Sequence, residues 1–181
     1  MRAITLIGSG ESLHFCDWEK IPGRVGVLSG AINHFQYKHV DHFFALDGPM
    51  FFPDWVKTSE RFQKHVINAD YWEDVPNATL YDIDETDHGC NFSTEGKICN
   101  GPLMDRRHTL LFAVQVLLRL GYDRVTFVGV DLISGHQSIN SIMEQWYGRA
   151  LEQGIKWYNA SPLSALQAWM PDAPVQERIT A

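Results

Sequence analysis

The sequence predicts an α/β fold with a mainly parallel sheet. Short apolar runs bounded by turn residues alternate with helix-forming segments along the chain. The clearest run, residues 124–130 (Arg-Val-Thr-Phe-Val-Gly-Val), is apolar nearly throughout, which suits a strand buried on both faces of a parallel sheet. With 181 residues, the chain falls in the size range of a single domain, here expected to span 1–181. Together these point to a three-layer Rossmann-like sandwich.

The elements follow in order. Residues 3–7 form a β-rich apolar run, followed by Gly8-Ser9-Gly10-Glu11-Ser12, and residues 13–18 are suited to begin a helix. Residues 24–28 and 43–46 are further runs, ending at Ser29-Gly30 and Asp47-Gly48-Pro49. Residues 65–67 and 79–83 are weaker strand candidates. Residues 86–102, with Gly89, Gly96, Gly101 and Pro102, read as an irregular loop. The strongest helix covers about residues 105–120, where Leu110, Leu111, Val114, Leu117 and Leu118 recur at helical spacing and Gly121 stops the pattern. A second helix is expected over 138–153 and a last strand over 155–158.

Composition excludes several classes. Hydrophobic residues make up 45% and charged residues 20%, which supports a packed core over a disordered chain. The formal net charge of −7 argues against wrapping nucleic acid, which favours a basic surplus, while leaving room for a local anion pocket. No apolar run approaches the roughly 18–20 residues of a membrane span. The opening apolar stretch is too short for a signal-peptide core. Three cysteines, Cys16, Cys90 and Cys99, suit reduced thiols better than a disulfide framework, so a cytoplasmic protein is expected. His88, Cys90, Cys99 and His108 lack the tight pairs typical of structural zinc, and no metal site is assigned.

In a parallel α/β sheet, ligands bind outside the carboxyl ends of strands, so strand-end residues are the candidates. Gly8, Ser9, Gly10, Glu11 and Ser12 have two readings. Paired glycines before a helix allow close approach of a phosphate to backbone N–H groups. The same residues also make an ordinary strand-to-helix turn capped by Ser9 or Ser12. Position 13 is Leu, so this is not the dinucleotide fingerprint, and no Gly-Lys-Ser/Thr follows to make a P-loop. Asn33 and Asp47 follow neighbouring strands and suit a ribose, a base or a metal, although Asp-Gly-Pro is equally a turn signal. Asp131, Ser134 and His136 follow the clearest strand, and a loop histidine there has the chemistry of a general base or of a solvated side chain. Arg106, Arg107 and His108 open the long helix as an anion-favouring or merely solvated turn.

As a set, these motifs resemble a known group. Ile7-Gly8-Ser9-Gly10-Glu11-Ser12-Leu13 is similar to the opening of the bacterial family 42 sialyltransferases and of the related DUF115 (MptE-like) proteins, which include a hydroxymethylpterin diphosphokinase. Residues 28–33, ending in Asn33, resemble the group's second strand with its nucleotide-contacting Asn. Residues 120–131 (Leu-Gly-Tyr-Asp-Arg-Val-Thr-Phe-Val-Gly-Val-Asp) and 155–166, with Pro162 and Ser164, match later segments in order. Gly135-His136-Gln137-Ser138 stands where the sialyltransferases have Gly-His-Ser, whose His is their proposed base. The chain departs at Glu11, where the family has Pro, and at His108-Thr109, where it has a Ser/Thr pair. Only residues 132–135 lie between Asp131 and His136, in place of a lid carrying active-site tyrosines.

The resemblance implies a nucleotide-dependent transferase, a small glycosyltransferase using a CMP-sugar-like donor. In that reading Gly8, Ser9, Gly10 and Ser12 hold phosphate or ribose, Asn33 contacts the nucleotide, Asp47 positions the donor, Thr109 adds a polar group, and His136 deprotonates the acceptor hydroxyl. The sialyltransferases need no metal, because the leaving nucleotide already carries a phosphate. The alternative is diphosphate transfer from ATP with Mg²⁺ held by Glu11, Asp47 and Asp131. A non-catalytic nucleotide-binding module is the third reading. The expected partners are a nucleotide or nucleotide-sugar and a small-molecule or glycan acceptor. A homo-oligomer whose neighbour completes the site is compatible with them, as is a bacterial or phage source.

Overall fold

The computed structural model describes residues 1–21, 23–67, 71–84, 98–99, 108–133 and 136–174. Among these, nine strands form: β1 (Ala3–Ile7), β2 (Arg24–Leu28), β3 (His42–Ala45), β4 (Gln63–Ile67), β5 (Ala78–Tyr81), β6 (Ile83–Asp84), β7 (Ile98–Cys99), β8 (Arg124–Val128) and β9 (Lys156–Asn159). The α-helices are α1 (Asp54–Thr58), α2 (Thr109–Arg119) and α3 (Gln137–Glu152). Seven strands make one sheet in the order β5-β4-β3-β2-β1-β8-β9, while β6 and β7 pair separately in parallel. Adjacent strands run parallel, β1 with β8 from Ala3↔Arg124 to Ile7↔Val128 and β8 with β9 from Arg124↔Lys156 to Phe127↔Asn159. The expected α/β class with a parallel, Rossmann-like sheet is therefore observed. The strand order descends to β1 and then jumps to β8. That reversal is a topological switch point, where adjacent crossovers leave on opposite faces and open a crevice.

The chain divides into two compact units, Met1–Val25 with Gly121–Ala181, and Gly26–Leu120. In the first, β1 and β8 are buried on both faces: Ile4, Leu6, Val125 and Phe127 on one face and Thr5, Ile7, Thr126 and Val128 on the other are at most 3% exposed. Helix α3 buries Ile139, Ile142, Met143, Trp146 and Ala150, a stripe at helical spacing. Its end is set by Gly154, whose φ of +75° is the left-handed conformation that closes helices without a Cβ clash. Among the described residues, no helix is long and apolar enough to cross a membrane.

In the second unit, α2 buries every residue from Leu110 to Leu118, so it is apolar nearly all round rather than amphipathic. The His108 ring caps it, Nδ1 accepting from the Leu110 N–H at 3.3 Å. Phe43 of β3 packs edge-on against Phe52 and Phe62.

Two local expectations are corrected. The segment after β1 is not an α-helix over 13–18 but two 3₁₀ turns, Glu11–Phe15 and Trp18–Lys20. Strand β8 ends at Val128 rather than at residue 130, because Gly129 takes φ +63° and turns the chain out of the sheet.

Candidate functional site

The switch point between β1 and β8 lies within the first unit, and the loops leaving β1, β8 and β9 are bonded to one another there. The Gly8 N–H donates to the Val128 carbonyl at 2.8 Å and the Gly10 N–H to the Gly129 carbonyl at 2.7 Å. The Ser12 N–H donates to Asp131 Oδ2 at 3.0 Å, and the Leu13 N–H to the Gly10 carbonyl at 3.0 Å. From the β9 side, Leu163 N–H donates to Ser12 Oγ at 3.0 Å and Ala165 N–H to the Asp131 carbonyl at 2.7 Å. Ser164 Oγ donates to the Val130 carbonyl at 2.6 Å and accepts from Leu166 N–H at 3.1 Å. Asn159, at the end of β9, closes the same turn by exchanging side-chain bonds with the backbone of Ser161.

Asp131 is the hub of this arrangement. It is 5% exposed, and its Oδ1 is buried with no hydrogen-bond partner. A buried carboxylate oxygen without a donor is destabilising by itself, and in native structures such atoms are met by ordered water, an ion or a ligand. The next residue, Leu132, has φ +48°, a conformation that non-glycine residues adopt only when their surroundings impose it.

The glycines acquire a specific explanation. A Cβ on Gly8 would lie 2.5 Å from the Gly129 oxygen, and one on Gly10 would lie 2.5 Å from Asp131 Oδ2. Close packing of the β1 turn on the β8 turn therefore demands Gly at both positions. Four N–H groups of the turn, those of Gly8, Gly10, Ser12 and Leu13, have acceptors within the protein. The anion at the Ser12 N–H is Asp131 itself.

The structure thus brings Gly8, Gly10, Ser12, Asp131 and Ser164 together, with Pro162 exposed in the same β9 loop and Ser9 and Glu11 exposed at the turn. His136 is exposed at the amino end of α3. Ser134 lies outside the described residues, as do His88, Cys90, Arg106 and Arg107. In the second unit, Asn33 is exposed in the 3₁₀ turn Ser29–His34. Asp47 is exposed, accepts from Ser29 Oγ at 3.3 Å, and is anchored through its carbonyl by the indole N–H of the fully buried Trp72 at 3.1 Å. Ser29 has φ +35°. Thr109 is the half-buried first residue of α2. No group of three or more His, Cys, Asp or Glu side chains gathers among the described residues.

Sequence reasoning missed the Leu163 and Ala165 N–H groups, which carry no side-chain signal. It also missed Gly129, for which a glycine near the end of an apolar strand was the available cue.

Among solved structures, the fold matches the sialyltransferase CstII from Campylobacter jejuni in complex with CMP-3FNeuAc (TM-score 0.64, 17% identity, 100% of this chain and 90% of that one). It also matches CST-II in complex with a trisaccharide acceptor and CMP (TM-score 0.61, 14% identity, 99% of this chain and 89% of that one). A third match is the apo α-2,3-sialyltransferase from C. jejuni (TM-score 0.57, 14% identity, 100% of this chain and 83% of that one). At such identities the likeness is one of fold. No protein-family model and no curated protein sequence matches the chain.

Proposed function

We propose that the chain is a nucleotide-sugar glycosyltransferase, with its donor seated at the carboxyl ends of β1 and β8. The observation that carries this reading is Asp131 Oδ1, a buried acceptor without a donor at the switch point. A ribose hydroxyl or a base amino group supplies the missing donor, and the fold shared along the whole chain with enzymes crystallised with CMP and a CMP-sugar analogue supports a nucleotide. His136, exposed at the start of α3, takes the proton of an acceptor hydroxyl as that oxygen attacks the anomeric carbon and the nucleotide phosphate leaves. A glycan is the acceptor class this reading favours, since one matched enzyme was crystallised with a trisaccharide acceptor.

The test is thermal shift of the full chain against CMP, a CMP-sugar, UDP, ADP and ATP, each with and without Mg²⁺. A ligand bound only by the native state raises the midpoint by mass action. The expected result is a metal-independent rise with CMP and with the CMP-sugar, retained in His136→Ala while that variant loses transfer. A rise confined to ATP with Mg²⁺ would replace the proposal with diphosphate transfer. No rise with any nucleotide would overturn it.

A further inference from the structure

The second unit contains a buried polar chain that the transfer reaction does not use. His42 of β3, His65 of β4 and Tyr81 of β5 run diagonally across one face of three adjacent parallel strands: His65 stands opposite Phe44, two residues beyond His42, and Tyr81 stands opposite Ile67, two residues beyond His65. His42 Nδ1 and His65 Nε2 are 2.9 Å apart, and His65 Nδ1 and Tyr81 Oη are 3.0 Å apart. The His65 ring is 2% exposed and stacks on Phe44, with ring centroids 5.0 Å apart. Tyr81 packs edge-on against Phe112 of α2. Arg119, on the same helix, is the charged group coupled to Tyr81, and its Nε and Nη2 are buried with no hydrogen-bond partner. Among the described residues, Lys64 turns to the Ser59 and Pro76 carbonyls, and the Asp41 carboxylate meets His39 Nε2 at 3.1 Å.

Each contact in this chain holds one proton between two heavy atoms, so the bonds must share a direction. In one polarity, the Tyr81 O–H donates to His65 Nδ1 and the His65 Nε2–H donates to His42 Nδ1. In the other, His42 Nδ1–H donates to His65 Nε2, His65 Nδ1–H donates to Tyr81 Oη, and the tyrosine proton turns away. The Arg119 charge favours the first polarity, because it attracts the phenol oxygen and repels its proton. A protonated His42 enforces the second, because its Nδ1 can then only donate. We propose that His42, His65 and Tyr81 form a pH-sensitive tautomer relay, in which a proton taken up by His42 reverses the hydrogen-bond direction as far as Tyr81 beside α2.

The proton balance is closed. One proton enters at His42, the single His65 proton relocates from Nε2 to Nδ1, and Tyr81 keeps its own. The relay requires His65 to remain singly protonated throughout. Burial, and secondarily the charge of His42, push its pKa down to about 3, well below the range in which an unperturbed histidine titrates.

The experiment is long-range ¹H–¹⁵N correlation NMR of the full chain with ¹⁵N-labelled histidine, between about pH 8 and about pH 5, the span of histidine switching. The expected result is that the protonated and unprotonated nitrogen signals of His65 exchange places while His42 gains its second proton. In His42→Gln, His65 should hold one tautomer across that range. Three outcomes would overturn the relay: one His65 tautomer at both ends in the unmodified chain, a second proton on His65 within the range, or continued switching in His42→Gln. The unmodified chain alone decides the matter if that variant does not fold.

Discussion

Replacing Gly8 with Ala adds one methyl group, yet the geometry makes it a severe change. The new Cβ would sit 2.5 Å from the Gly129 oxygen, 3.1 Å from the Gly129 carbonyl carbon and 3.2 Å from Val130 Cγ2. Two of these neighbours are backbone atoms, so no rotamer change relieves the clash. Moving the turns apart would stretch the Gly8–Val128 and Gly10–Gly129 bonds, at 2.8 and 2.7 Å. Overpacking of this kind costs about 1–3 kcal/mol, and a weakened backbone bond about 0.5–1.5 more, so a loss of about 2–4 kcal/mol is expected. Gly148→Ala is the matched control. It is exposed in α3 with nothing within 4 Å of its added Cβ, and a helical Gly-to-Ala change is stabilising by about 0.8–1.0 kcal/mol. The same chemical substitution should therefore move the urea midpoint in opposite directions at the two positions, with the slope unchanged. A Gly8→Ala midpoint corresponding to less than about 0.5 kcal/mol from the unmodified chain, the range of an inert surface change, would refute the packing argument.

Two further outcomes follow from buried polar groups. Lys64 is fully buried in β4, its ammonium donates to two carbonyls, and burial pulls its pKa down to about 8, against about 10.4 in an unfolded chain. Between those values the unfolded chain binds more protons, so stability should rise with pH from about 8 to about 10.4 by on the order of 1–3 kcal/mol, and urea midpoints of Lys64→Met should lack that rise. Ser164→Ala leaves the Val130 carbonyl and the Leu166 N–H without their partner, and should lower stability by about 1–3 kcal/mol, read as a lower calorimetric midpoint.

What the sequence disclosed was local. The runs now forming β1, β2 and β8 stand out because they are short, mostly apolar and closed by turn residues. Helix α3 is legible from its stripe, and the end of α2 from Gly121. The failures share a physical cause. Ser12 and Asp131 are 119 residues apart, and their bond draws the segment after β1 into a 3₁₀ turn that helical periodicity cannot anticipate. The His42–His65–Tyr81 chain depends on the register of β3, β4 and β5, which no single strand encodes. The candidate site was legible as a set of strand ends, but not in its wiring. Ser164 and Ser12 look like ligand donors in the sequence, and in the structure both side chains brace neighbouring loops.

That wiring bears on which part of a nucleotide meets the β1 turn. A Gly-x-Gly turn invites a phosphate because its N–H groups lack acceptors, and here the Ser12 N–H already faces a carboxylate. A phosphate oxygen brought within about 4 Å of that carboxylate would meet roughly 4 kcal/mol of repulsion at an effective dielectric constant of about 20. The exposed Glu11 adds charge of the same sign. A hydroxyl or amino group meets the opposite situation, because it supplies the donor that Asp131 Oδ1 lacks. In the proposed complex the ribose or base therefore faces Asp131, and the phosphate lies away from the turn, toward the start of α3, where the helix dipole favours an anion. Binding should then depend more on the nucleoside than on the number of phosphates, so cytidine alone should retain a measurable part of the shift produced by CMP, whereas inorganic pyrophosphate should produce none. The reverse ranking would mean that the phosphate occupies the β1 turn despite Asp131.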